Sequence, residues 1–195
     1  MVTEVAERLM SAEEFLEWES AQPFRHELID NRIYPMPGGS SSHEIIISAL
    51  VGWFYFALID RIDHVYAGIQ VMADAIGTYT YPDVTVVLGE PVFHGGAKSG
   101  LLENPTFLFE VSSPSTEKID RTRKLDQYLQ IPSLEAYFLV SQDTPLVEAY
   151  TRSGDEWTYS RCAGLDSYLR IPSLNDEIPL AFIYSKVKFE PDQNA

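Results

Sequence analysis

Two acidic residues stand inside stretches that otherwise read as buried strand: Asp83 in Tyr81-Pro82-Asp83-Val84-Thr85-Val86-Val87, and Glu110 in Phe107-Leu108-Phe109-Glu110-Val111-Ser112. A carboxylate in an apolar run needs a partner, because an isolated buried charge is expensive. Two carboxylates on neighbouring strands suit a divalent cation, which takes oxygen ligands. Such a cation lowers the pKa of a bound water and stabilises phosphate charge, while a nearby lysine orients the water or offsets that charge. Lys124 is the candidate, on the segment Glu117 to Lys124 that also carries Lys118, Arg121 and Arg123. A plainer account stays open: Asp83 as a turn acid after Pro82, Glu110 as a strand-end surface acid, and Lys124 as half of an Asp120–Lys124 pair at i,i+4 spacing.

Other chemistries are excluded by single residues. His43-Glu44-Ile45-Ile46-Ile47 starts like a zinc-protease helix but has isoleucine where the second histidine must stand. Gly95-Gly96-Ala97-Lys98-Ser99 lacks the glycine before the lysine of a phosphate loop, and there is no Gly-x-Ser-x-Gly elbow.

The elements that must position these residues can be read from pattern. Ser11-Ala12-Glu13-Glu14 has the capping-box form and opens a helix from Ala12 to about Glu19. Asp30-Asn31 is a two-residue turn between Glu27-Leu28-Ile29 and Arg32-Ile33-Tyr34. A core helix is expected over Ile45–Ile59, with His43 at its start. Strands follow at Val65–Met72, Val84–Leu88 and Thr106–Ser112, the last two separated by a glycine-rich loop, Gly89–Asn104. A helix over Glu117–Gln130, with Leu125, Tyr128 and Leu129 facing the core, is stopped by Pro132. Glu135–Val140, Leu146–Tyr150 and Trp157–Arg161 read as a meander. The match of Leu125–Leu134 with Leu165–Leu174 is too short and too differently embedded for a solenoid repeat.

At 195 residues the chain suits one domain, 1–195, with a core over about 24–162 and a frayed tail at 191–195. One cysteine, Cys162, and an acidic N-terminal stretch without a leader suggest a reducing, cytoplasmic setting. The uncharged run Ile45–Ile59 is too short to span a bilayer. A net charge of −15 argues against a protein that coats nucleic acid non-specifically, though it leaves room for a local basic patch.

Residues from about Glu27 to Val140 resemble the bacterial Uma-two family of the PD-(D/E)XK, or restriction endonuclease-like, superfamily. The resemblance is carried by Glu27-Leu28-Ile29-Asp30 with Ile33-Tyr34-Pro35-Met36, His43, Tyr81-Pro82-Asp83-Val84, Glu110-Val111-Ser112-Ser113-Pro114-Ser115-Thr116, Asp120 with Lys124, and Tyr128 before Glu135-Ala136-Tyr137. It implies an α/β fold with a central mixed β-sheet flanked by helices, preceded by an N-terminal helix and hairpin. It also implies a Mg²⁺- or Mn²⁺-dependent endonuclease acting on nucleic acid, with DNA the expected substrate, and a homodimer is plausible. Asp83 and Glu110 would hold the metal with Glu27 as a further ligand, and Lys124 would replace the usual strand lysine, whose place Ser112 takes. His43 could assist the water or touch phosphate, and Gln70 is a weaker candidate. The alternatives are a catalytically silent binding or regulatory module, or a metal-dependent hydrolase of a small phosphorylated molecule, which would suit the acidity better.

Overall fold

In the computed structural model, which describes residues 9–36, 38–73, 77–112 and 120–189, the first helix starts where the capping signal places it. Helix α1 spans Ala12–Ser20; the Ser11 side chain accepts from the Glu14 N–H, and the Glu14 carboxylate accepts from the Ser11 N–H. Strands β1 (His26–Ile29) and β2 (Arg32–Pro35) form the expected hairpin. Asp30 and Asn31 take φ of 52° and 60°, the positive values that a tight two-residue turn demands. Helix α2 spans Ser41–Ala57 and begins four residues before the apolar run, because Ser40 caps it by accepting from the His43 N–H at 3.2 Å.

The single strand expected over Val65–Met72 is in fact two, β3 (His64–Ala67) and β4 (Gln70–Met72). Gly68 between them has φ of 58°, a left-handed conformation that no strand continues through. The break sends the two halves into different sheets. Strands β5 (Tyr79–Thr80), β6 (Val84–Val87), β7 (Leu101–Leu102) and β8 (Phe107–Ser112) follow, β7 lying within the expected loop. Then come β9 (Ala136–Ser141), β10 (Leu146–Ser153) and β11 (Glu156–Ala163), which form the meander, and a last pair, β12 (Tyr168–Ile171) and β13 (Asp176–Pro179).

The six-stranded sheet has the order β11-β10-β9-β8-β6-β3 and is mixed, with β8 and β9 parallel and the other neighbours antiparallel. The five-stranded sheet has the order β2-β1-β5-β4-β7. All six residues of β8 are buried, and alternation divides them between two packed layers. Phe107, Phe109 and Val111 meet Ile46, Leu50 and Phe54 of α2, with the Phe54 and Phe109 rings 5.4 Å apart. This cluster continues into β12, β13 and a closing turn of helix through Leu169, Ile171, Ile178, Leu180 and Ile183. Leu108 packs on the other face with Tyr128, Leu134, Tyr137 and Leu139, and Glu110 shares that face.

The segment expected as a helix over Glu117–Gln130 is described from Asp120 on. Asp120–Lys124 form a π-helical turn, which runs into a short α-helix, α3 (Leu125–Tyr128). Asp120 and Lys124 of the turn and Tyr128 of α3 recur every four residues, and all three are buried. The second copy of the short sequence match lies partly in β12, so the two copies do not share a structure. Residues 191–195 lie outside the described residues. No helix among the described residues is long and apolar enough to cross a membrane.

Candidate active site

Lys124 is buried, and its ammonium meets carboxylates from both sheets. Nζ stands 2.9 Å from Glu27 Oε1 on β1 and 3.0 Å from Glu110 Oε1 on β8, with Asp120 Oδ1 at 3.5 Å. The Asp120–Lys124 pairing expected from the i,i+4 spacing therefore exists, inside the protein and together with both other acids. Tyr128, one helical turn further on, donates its hydroxyl hydrogen toward Glu110 Oε1 or Thr80 Oγ1, both at 2.9 Å. Glu27 Oε1 also accepts from the Tyr81 backbone N–H at 3.0 Å. The strand that leads to Asp83 is thereby tied to the acid on the hairpin.

The electrostatics follow from three carboxylates around one ammonium. Burial alone would push the Lys124 pKa down, but Glu110, Glu27 and Asp120 outweigh it and hold the ammonium well above its ordinary range. Glu110 is pushed well above the usual carboxylate range, first by burial. Lys124 pulls it back, while Asp120, Asp83 and Glu27 add to the rise. Lys124 stays charged, and of the acids around it Glu110 is the one whose charged form is disfavoured. Tyr128 stays neutral, its pKa raised by burial and then by the charge of Glu110.

Asp83 precedes β6 and is held differently. Its Oδ2 accepts from the Val111 N–H at 2.7 Å and stands 3.2 Å from His43 Nε2. The Ser40 cap that opens α2 places His43 in its first turn, where it faces this carboxylate. Burial lowers the His43 pKa, yet the hydrogen bond and charge of Asp83, helped by Glu44, raise it overall. Asp83 is bonded to the residue after Glu110, and its charge raises the Glu110 pKa. The structure thus brings Asp83, Glu110, Glu27, Lys124 and His43 into one connected neighbourhood. Gln70 stands apart from it, on the opposite face of its sheet.

Among the described residues, no group of three or more His, Cys, Asp and Glu side chains is arranged to hold a metal ion. The ammonium of Lys124 lies between Glu27 and Glu110. The donor set is nonetheless all carboxylate oxygen, the kind that suits Mg²⁺ or Mn²⁺. The basic segment is largely self-neutralised: Arg121 pairs with Glu148 and Arg123 with Asp30 and the Tyr34 hydroxyl, while Lys118 lies outside the described residues. The sequence marked Tyr128 as a core residue and as part of the family resemblance, without a role in the site, and did not mark Thr80. A tyrosine four residues after the lysine, on a face otherwise apolar, was the available signal for the first.

A model of the Uma2 family, described as "Putative restriction endonuclease", matches residues 12–182. This chain belongs to the Uma2 family. The uncharacterized protein slr1290 of Synechocystis sp. (strain ATCC 27184 / PCC 6803 / Kazusa) is 31% identical over 183 residues, covering 92% of this chain and 94% of its own. The uncharacterized protein sll1609 of the same organism is 28% identical over 166 residues, covering 84% and 93%. Among solved structures, the crystal structure of "a putative nuclease belonging to DUF820" from Anabaena variabilis matches with a TM-score of 0.75 at 19% identity, over 90% of this chain and 98% of that one. At that identity the likeness shows the fold, a restriction endonuclease-like α/β arrangement, as expected of a Uma2 member.

Proposed function

We propose that this Uma2 chain is a metal-dependent endonuclease that hydrolyses phosphodiester bonds of nucleic acid, with DNA as the substrate and the cytoplasm as its setting. The observation that carries the reading is the buried Lys124 ammonium, in contact with both Glu27 and Glu110 and one strand away from Asp83. Asp83 and Glu110 would hold Mg²⁺ or Mn²⁺, with Glu27 as the further ligand. The bound cation supplies an activated water and neutralises phosphate charge.

The protein's own groups account for the remaining roles. Asp83 is oriented by the Val111 N–H, and Glu110 by Tyr128. Lys124, kept charged by its acids, positions the attacking water and offsets the charge that builds on the phosphoryl oxygens. The water oxygen bonds to phosphorus as the bond to the leaving ester oxygen breaks, and a proton is returned to that oxygen. His43, bonded to Asp83 through Nε2, steadies that carboxylate.

The self-neutralised basic segment favours a second reading, a small phosphorylated substrate, because Arg121 and Arg123 already have partners. One assay separates the two. Purified protein with Mg²⁺ or Mn²⁺ is offered single-stranded, duplex and branched DNA beside small phosphodiesters, together with Asp83→Ala and Lys124→Ala. Cleavage of DNA that both substitutions reduce about 10²-fold or more supports the nuclease. Equal cleavage by all three proteins overturns the site.

A further inference from the structure

A cleft of about 410 Å³ opens between α1 and the five-stranded sheet, with Leu16, Glu19, Arg25, Gln70, Tyr81 and Leu101 in its lining. That is the size of a small-molecule site. Strand register puts it on the reverse face of the sheet from Glu27 and Thr80. Tyr79 pairs with Leu28 and Met72, and Gln70 and Tyr81 follow the same alternation, opposite to Glu27 and Thr80.

Tyr81 belongs to both places. Its backbone N–H bonds Glu27, while its ring lines the cleft beneath the Arg25 guanidinium, 5.0 Å from the ring centre. Arg25 Nη1 donates to the Gly68 carbonyl at 2.8 Å, and the Gly68 N–H donates to the Asp83 carbonyl at 3.2 Å. The cleft is therefore built on the same backbone that carries Asp83.

Its chemistry is selective. A tyrosine ring and a guanidinium form a stacking shelf, with Leu16 and Leu101 as apolar walls. Gln70 contributes an amide nitrogen that is buried and has no hydrogen-bond partner among the described residues. Glu19, the acid in the lining, is already engaged by the His26 N–H, the His26 ring and the Tyr81 hydroxyl. Arg25 makes no carboxylate pair among the described residues. The complementary ligand is a flat aromatic ring with acceptors on its edge, carried on an anionic chain.

We propose that this cleft receives an unstacked nucleobase of the strand being cut, stacked against Tyr81 and Arg25 and hydrogen-bonded by Gln70. The inference rests on the nuclease reading and gives it a substrate class: single-stranded or locally unpaired nucleic acid, since extracting a base from an intact duplex is costly.

The test needs no cleavage. A short fluorescent oligothymidylate and a labelled duplex are titrated with wild type, Arg25→Lys and Gln70→Ala in EDTA, following anisotropy, with thermal melting as a check on folding. Arg25→Lys keeps the charge and removes the planar fork, so it separates stacking from general attraction. The expected result is single-strand binding weakened about tenfold in both variants, with duplex binding and melting unchanged. Wild-type single-strand affinity in both variants overturns the cleft and leaves the nuclease reading intact. If wild type binds neither oligonucleotide, the cleft falls together with the nucleic-acid reading.

Discussion

Asp83 and Glu110 sit on adjacent strands, carry the same charge and are held in opposite ways. Asp83 lies toward the surface, with its side chain 14% exposed, and is satisfied by a backbone N–H and an imidazole. Glu110 is enclosed, its carboxylate met by the ammonium of Lys124 and the phenol of Tyr128. The first acid can exchange partners with solvent or a ligand at little cost. The second is part of the packing, and its partners are as necessary to the fold as to any chemistry. Damage to the Asp83 side should therefore appear first in activity, and damage to the Glu110 side first in stability.

The strongest way to break this contrast is Lys124→Met. It leaves Glu27, Glu110 and Asp120 buried without their cation, and removing one member of a buried ionic group costs about 3–5 kcal/mol. Urea denaturation should show that loss; a change under about 1 kcal/mol would mean the acids find other partners without strain. Tyr128→Phe is next, since it leaves Glu110 and Thr80 one donor short, with an expected loss of about 1–3 kcal/mol in the same measurement. Asp83→Asn keeps an oxygen for the Val111 N–H. It should cost less than about 1 kcal/mol while lowering cleavage about 10²-fold or more in the proposed nuclease assay.

The smallest effect sharpens the comparison through pH. His43 has a raised pKa in the fold, so its contribution to stability is fully present below its unfolded value of about 6.5 and is lost as pH rises through the folded value. The stability difference between wild type and His43→Gln should thus be greatest in mild acid and shrink toward alkaline pH. A difference that stays constant across this pH range would show that His43 acts through packing and not through the charge of Asp83.

What could be read from the chain beforehand divides along the same line between local and distant causes. Ser11 with Glu14, Asp30-Asn31 and Pro132 act within a few residues of themselves, so the helix start, the hairpin and the helix stop were visible. The acids were visible because charge in an apolar strand is anomalous. The split at Gly68 was not, since a glycine inside a strand pattern does not say whether the chain bends or changes sheet. Nor was the π-helical turn at Asp120–Lys124, whose Lys124 is buried against Glu110, fourteen residues away, and Glu27, which is far more distant in the chain. The basic segment has distant partners as well. Arg121 and Arg123 of the expected patch pair with Glu148 and Asp30, partners that local pattern does not reveal.

Glu27 belongs to the five-stranded sheet and Glu110 to the six-stranded one, so the single ammonium between them rivets two sheets together at their seam. Any breathing of one sheet against the other must stretch these contacts first. Hydrogen exchange at the Tyr81 N–H, which is locked onto Glu27 at that seam, would then report how often the whole assembly of acids comes apart. The mechanical joint of the molecule and its candidate reactive centre are one object, and neither can loosen alone.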